Sequence, residues 1–292
     1  MQSGRIFTDA VAYGGWPIDL HPPTGVDAVN EKPFNHHDVK YLYTIPLRSL
    51  ISRNVPNLLF AGRNISATHV AFASTRVMAT CSVMGQAIGT AAALASKHKI
   101  ALEKLGDKDT MRALQECLLR DDAFIPGIKA EDPQNKAGLF REITASSSKK
   151  DCPPTLVFDG LSRDLAGNFG PWDDSRPHHW ESENLPASIQ LLARESVEIR
   201  EIHLTFDTGF QRELMLSLSN HASRKVIRGP QPETVKAYRI FAGETCLVDE
   251  QENYQRKRIH RLVTPVRATS LKIEVLSTHG LPCARIFEVR VY

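Results

Sequence analysis

Asn57-Leu-Leu-Phe-Ala-Gly-Arg-Asn-Ile-Ser-Ala-Thr-His69, continued by Ser74-Thr-Arg-Val-Met-Ala-Thr-Cys81 and Met84-Gly-Gln-Ala-Ile-Gly-Thr-Ala-Ala-Ala-Leu-Ala95, is the stretch on which the fold turns. Its opening, residues 57–61, is a short apolar run ending at Gly62, the pattern of a buried strand in a layered α/β domain. From about Arg76 to Lys97 small residues dominate and predict a long helix, with Gly85 and Gly89 four apart on one face that permits close backbone packing. The order strand, glycine, helix brings a turn without a side chain to the start of a helix. There the unpaired N–H groups at about Arg76, Val77 and Met78 form a partial positive charge. Such a place suits an electron-rich or anionic group.

Outward from this stretch the pattern stays mixed. Toward the N-terminus, Ala10 to Tyr13, Trp16 to His21 and Tyr41 to Leu50 read as strands separated by Gly14-Gly15 and Pro22-Pro23, with Pro46 confining the third to an edge or a bulge. Asp107 to Arg120 is amphipathic through Met111, Leu114, Cys117 and Leu118 and predicts a second, more exposed helix. Residues 128–152 are poor in large apolar groups and lead to Pro153-Pro154, so a linker is expected there. Beyond it, Ser188 to Leu192, Ile199 to Phe206, Leu214 to Leu218, Lys236 to Phe241, Leu271 to Leu276 and Arg285 to Tyr292 are short β-prone segments between turn residues. The expected fold class is therefore α+β and multi-domain. A partial α/β domain over 1–127 is followed by an antiparallel β-sandwich, a jelly roll, over 153–292.

Composition narrows the function classes. The 292 residues are 42% apolar and 24% charged, the balance of a globular chain long enough for two cores. A formal net charge of +3, evenly spread, argues against nucleic acid as a partner, and Arg256, Lys257 and Arg258 read as a solvated strand edge. The cysteines at 81, 117, 152, 246 and 283 show no C-x-x-C pair, and His36-His37 have no third ligand at metal spacing, so no metal is expected. Met1-Gln-Ser-Gly-Arg5 has no apolar leader run, and Thr80, Cys81, Ser82, Gln86 and Thr90 mark the apolar helix as a buried helix rather than a membrane span. The compartment stays open.

Taken with Tyr43-Thr-Ile-Pro-Leu-Arg-Ser-Leu50, the stretch up to Ala95 resembles the C-terminal FAD-binding segment of a family of FAD-dependent oxidoreductases whose members are often labelled xanthan lyases. The likeness spans roughly the first 125 residues and includes Tyr13-Gly-Gly-Trp-Pro-Ile-Asp-Leu-His21. It implies FAD as cofactor and a small substrate, with carbohydrate-derived compounds as one class, giving hydride to the flavin. On that resemblance Gly62, Arg63, Asn64, Val77, Met78 and Gly85 are expected at the cofactor. His69, in a loop near the ring, and Arg76 are the candidate catalytic residues. Asp19 and His21, alternate residues on one strand face, would bind substrate.

The family's G-x-G-x-x-G unit for the ADP half of FAD does not occur among these residues. The expectation is a fragment, or a chain that needs a partner carrying the dinucleotide-binding half, inactive on its own.

In the second half, Thr155-Leu-Val-Phe-Asp-Gly160, Ile202-His-Leu-Thr-Phe-Asp207 and Ala284 to Tyr292 resemble discoidin-like, galactose-binding-like modules. This leaves an alternative function, a non-catalytic carbohydrate-binding or interaction module. Trp172 and Trp180 would then stack on sugar rings, with His178 and His179 as polar contacts.

Overall fold

The computed structural model describes residues 1–292 except Ser3, Asn168, Phe169 and 213–218, together with the side chain of Ala222. The predicted strand Leu214 to Leu218 lies outside the described residues. The chain divides into two units, Met1–Ala130 with Ala166–Asp174, and Glu131–Leu165 with Ser175–Tyr292.

In the first unit β1 (Ala10–Gly14), β2 (Ile18–Leu20), β3 (Asn35–His37) and β4 (Tyr43–Pro46) form two antiparallel pairs, β1 with β4 and β2 with β3. Gly14 lies opposite Tyr43, and the tyrosine hydroxyl sits 2.5 Å from where a Cβ at position 14 would be, so only glycine fits. Pro46 ends β4, because a residue without an N–H cannot continue the ladder, and Leu47–Leu50 turn into a 3-10 helix instead of extending the strand.

Three helices follow, α1 (His69–Thr75), α2 (Met78–His98) and α3 (Lys108–Arg120). The apolar stripe of α3, with Met111, Leu114 and Leu118, and the Met84, Ala87, Ile88 and Ala91 face of α2 close one core over Val11, Tyr43 and Ile45. Gln115 ties the sheet to α3 by donating to the carbonyls of Thr8 (3.2 Å) and Ala10 (2.9 Å).

Three expectations fail in this unit. Residues 57–61 are not a buried strand: they contribute one bridge, Leu59 to Ile51, and Leu58 is 40% exposed, because no other strand among the described residues flanks them. Nor is α2 buried all round. An 18-residue window of it has the length and hydropathy of a membrane span, but only a third of that window is buried. Gly85 and Gly89 face open space instead of a neighbouring backbone.

The second unit is the expected sandwich. Its strands are β5 (Phe140–Ala145), β6 (Trp180–Glu181), β7 (Ala187–Phe206), β8 (Val235–Ala242), β9 (Thr245–Glu250), β10 (Lys257–Thr278) and β11 (Arg285–Val291). They pair antiparallel in the order β6-β11-β7-β10-β8-β9, with β5 also on β7. β7 and β10 are single long strands with breaks in register, where sequence reading gave separate short ones. The first half of β7 and the second half of β10 join β5, β8 and β9, and the other halves join β6 and β11.

The two layers face each other. Phe206 of β7 meets Tyr238 of β8 at 5.2 Å between ring centroids, and the Tyr238 hydroxyl lies 2.8 Å from His260 Nε2 on β10. Burial, with help from Arg258, pushes His260 down to about 4, so it accepts in that bond as a neutral ring. Alternate residues Ile189, Leu191, Ile202, Leu204, Ile273, Val275, Ile286, Val289 and Val291 fill the space between.

The stretch 128–152, expected as a linker, instead supplies β5, whose Glu142 to Ala145 pair with Leu192 to Ile189. The basic run at the start of β10 is not solvated. Lys257 is 13% exposed and pairs with Glu288 at 3.0 Å, and Arg258 pairs with Glu250 at 2.6 Å.

Candidate functional site

The break between α1 and α2 gathers most of the residues nominated from sequence. Thr68 caps α1 by accepting from Ala71 N, so His69 stands in the first turn of a helix, exposed, rather than in a loop. Arg76 closes the same helix with its N–H bonded to Phe72 O, and Val77 is extended and precedes α2. The first N–H held inside α2 is that of Cys81, on Val77 O. The N–H groups without an acceptor inside α2 are therefore those of Val77, Met78, Ala79 and Thr80, a set that begins one residue later than expected, and no side chain caps them. The reason is that α1 consumes the donor of Arg76.

Gly62 lies against this helix start. Its φ of +91° is left-handed, a conformation that strains any residue with a side chain. A Cβ there would stand 3.7 Å from Cys81 Cβ, so conformation rather than space demands glycine. Cys81 Sγ in turn reaches the carbonyls of Thr75 (3.7 Å) and Arg76 (3.5 Å). Burial pushes its thiol pKa up, against an opposing pull from the Arg63 charge. Sequence reading passed over Cys81, and its place one turn into α2 was the available signal.

On the other side of the break Arg76 Nη2 donates to Asp19 O at 3.2 Å and lies 3.9 Å from Asp19 Oδ2. His21 Nε2 approaches the same Oδ2 at 3.7 Å, while its Nδ1 is 3.0 Å from Pro33 O. Both contacts to the carboxylate oxygen are too long to be hydrogen bonds. Asp19 Oδ1 is buried and has no hydrogen-bond partner among the described residues.

Gly62, Arg63, Met78, Asp19, His21 and Arg76 thus converge around Cys81 and the α1–α2 break. His69 does not join them, since the length of α1, about 10 Å at 1.5 Å per residue, separates it from Arg76. Asn64 is exposed, and Gly85 is two turns into α2. His36 and His37 are exposed on β3, with His36 paired to Asp38 at 3.2 Å. A separate cleft of about 490 Å³, lined by Asp9, Leu47, Arg48, Phe60, Ser66 and Glu103, contains none of the nominated residues.

The aromatic residues nominated for sugar stacking are unavailable for it. Trp172 is buried in the first unit, and Trp180 is fully buried in the sandwich core with its Nε1 donating to Ser147 O (3.1 Å) and Ser148 Oγ (3.0 Å). His178 and His179 are also buried, against Asp159 (2.6 Å) and Asp164 (3.0 Å).

Curated protein sequences contain no match to the chain. Among solved structures, the family 32 carbohydrate-binding module of C. perfringens NanJ in complex with galactose is 16% identical, covers 51% of this chain and 91% of its own, and has a TM-score of 0.36. The family 32 module of Streptococcus pneumoniae EndoD is 12% identical, covers 53% and 97%, and scores 0.37. Chitosan-binding module 1 of a chitosanase/glucanase from Paenibacillus sp. IK-5 is 15% identical, covers 55% and 98%, and scores 0.37. Residues 1–118, which build β1 through most of α3, match the model of the FAD dependent oxidoreductase family.

Proposed function

We propose that residues 1–118 furnish the flavin-edge face of an FAD-dependent oxidoreductase, with substrate held at the α1–α2 break. The observation that carries this reading is the meeting of Gly62, the uncapped start of α2 and the Arg76–Asp19–His21 group in one place. FAD, when bound, supplies the two-electron acceptor. The N–H groups of Met78, Ala79 and Thr80 suit an electron-rich ring edge, and a glycine backbone at 62 can approach it without a side chain. Arg76 places positive charge beside the substrate. Asp19 Oδ1 accepts a substrate hydroxyl and, as hydride leaves the adjoining carbon, takes its proton. The ADP half of the cofactor is held by a dinucleotide-binding unit outside these residues.

Stopped-flow reduction of the chain loaded with FAD together with a polypeptide carrying the G-x-G-x-x-G unit decides which residue takes the proton. The donor is the carbohydrate-derived compound that reduces the unsubstituted protein fastest. Asp19→Asn keeps shape and retains FAD, and it is expected to slow reduction about 100-fold or more, the usual worth of a positioned base. His69→Ala is expected to stay within a few-fold of the unsubstituted rate. The reverse pattern would transfer the role to His69 and reduce Asp19 to a partner of Arg76.

The alternative, a non-catalytic sugar-binding chain, finds no support at Trp172, Trp180, His178 or His179, all of which are buried.

A further inference from the structure

Within the sandwich a second group of reactive side chains has no part in the flavin reading. Cys152, His179 and Glu181 are all buried, and one potential ligand atom from each lies within 4.8 Å of the others. His179 Nε2 is 3.8 Å from Cys152 Sγ and 3.4 Å from Glu181 Oε2. A zinc-like ion bound tetrahedrally at ordinary Zn–S, Zn–N and Zn–O lengths needs ligand atoms about 3.3–3.6 Å apart. Two edges of the triangle are therefore close to that spacing already, and the third closes with a movement of about 1 Å.

We propose that Cys152, His179 and Glu181 form a binding site for a divalent transition-metal ion of the zinc class, inside the sandwich and separate from the flavin site.

Three further features of the neighbourhood fit such a site. Asp164 Oδ1 meets His179 Nδ1 at 3.0 Å, which turns Nε2 toward the cysteine and the glutamate and supplies the outer carboxylate typical of histidine ligands. The two carboxylate oxygens of Glu181 are divided. Lys149 Nζ (2.6 Å), Arg285 Nη2 (3.2 Å) and Cys283 Sγ (3.2 Å) all engage Oε1, and Oε2 is left facing the histidine. The backbone is held as well, since Glu181 N donates to Cys152 O at 3.3 Å and Glu181 pairs with Arg285 across β6 and β11. Cys152 lies 27 residues before His179, so no local cysteine spacing announces the site. On binding, the Cys152 thiol gives its proton to solvent as the sulfur–metal bond forms, and His179 binds through a deprotonated Nε2.

The test is a cobalt(II) titration of the full chain after chelator treatment under reducing conditions. One equivalent is expected to develop the thiolate-to-cobalt charge-transfer absorption and the intense visible bands of a four-coordinate ion, and zinc should bleach both. Cys152→Ser should remove the charge-transfer absorption. Asp164→Asn should retain it with an affinity about 10–100-fold weaker, the usual effect of losing an outer-shell partner. A chain without any variant that takes up no cobalt with thiolate absorption overturns the proposal. So does an unchanged absorption in Cys152→Ser, which would place the thiolate elsewhere. The first of these outcomes needs no substitution, so a misfolded variant cannot shield the idea.

Discussion

Gly62→Val is expected to abolish retention of FAD by the chain assembled with a polypeptide carrying the G-x-G-x-x-G unit, seen as loss of flavin absorbance on gel filtration while the helical signal persists. The argument is conformational. At φ +91° a residue with a side chain pays a cost on the order of 1–3 kcal/mol, and a β-branched residue is among the least tolerant of that region. The turn escapes by rotating back to negative φ, which carries Arg63 and Asn64 with it and moves the backbone away from Met78, Ala79 and Thr80. Crowding contributes little at the Cβ itself, since that atom would sit in ordinary contact with Cys81 at 3.7 Å. Gly62→Ala should therefore already weaken retention, though less than valine. Full flavin retention by Gly62→Val would show that the turn has no part in the cofactor site.

The second large effect belongs to the sandwich. Glu288 on β11 is 5% exposed, receives Lys257 Nζ at 3.0 Å and Arg290 Nη2 at 2.8 Å, and accepts from Thr205 Oγ1 at 3.4 Å. Burial alone would raise its pKa, yet the two cations outweigh burial and hold the carboxyl below its usual range. Glu288→Ala strips Lys257 of its carboxylate while leaving the ammonium 13% exposed, whereas Arg290 keeps Asp132 at 3.9 Å. Breaking a buried pair from one side costs about 3–5 kcal/mol, so the midpoint of urea unfolding should fall sharply. A loss below about 1 kcal/mol would mean that Lys257 reaches water and that the pair is a surface one. The effect should fade in acid. A carboxyl with a depressed folded pKa stabilises above its unfolded value near 4.5, and that contribution is lost as the pH falls through the folded one.

How much of this was legible in the sequence depended on whether a signal was local. The helices over 78–98 and 108–120 and the strand β1 were readable because their apolar spacing is complete within each segment. The sandwich was legible as a class, but β7 and β10 were cut into pieces. Polar residues such as Glu195 and Thr264 interrupt the apolar pattern where these strands pass from one layer to the other, and they look like turns. β5 was missed for a related reason, since Arg141 and Glu142 make an edge strand resemble a linker. Asn57 to Ala61 failed the other way: five apolar-rich residues suggest a buried strand, but burial depends on neighbours that periodicity cannot supply.

At the α1–α2 break the nomination of Asp19, His21 and Arg76 followed from a resemblance, while the separate position of His69 depended on the short helix α1, for which Thr68 was the one visible cap. The Cys152, His179 and Glu181 group was invisible because its members meet only through the fold. Lys257 read as solvated because nothing in the local sequence names Glu288 as its partner.

The most direct test of the flavin-edge reading is amide hydrogen exchange with and without FAD, in the presence of a polypeptide carrying the family's G-x-G-x-x-G unit. The N–H groups of Met78, Ala79 and Thr80 have no acceptor within α2 and should exchange fast in the absence of cofactor. Bound FAD is expected to slow exchange at residues 78–80 and across 62–64 and to leave the sandwich strands unchanged. Bound flavin that protects neither segment, or that protects only residues of the second unit, would contradict the account.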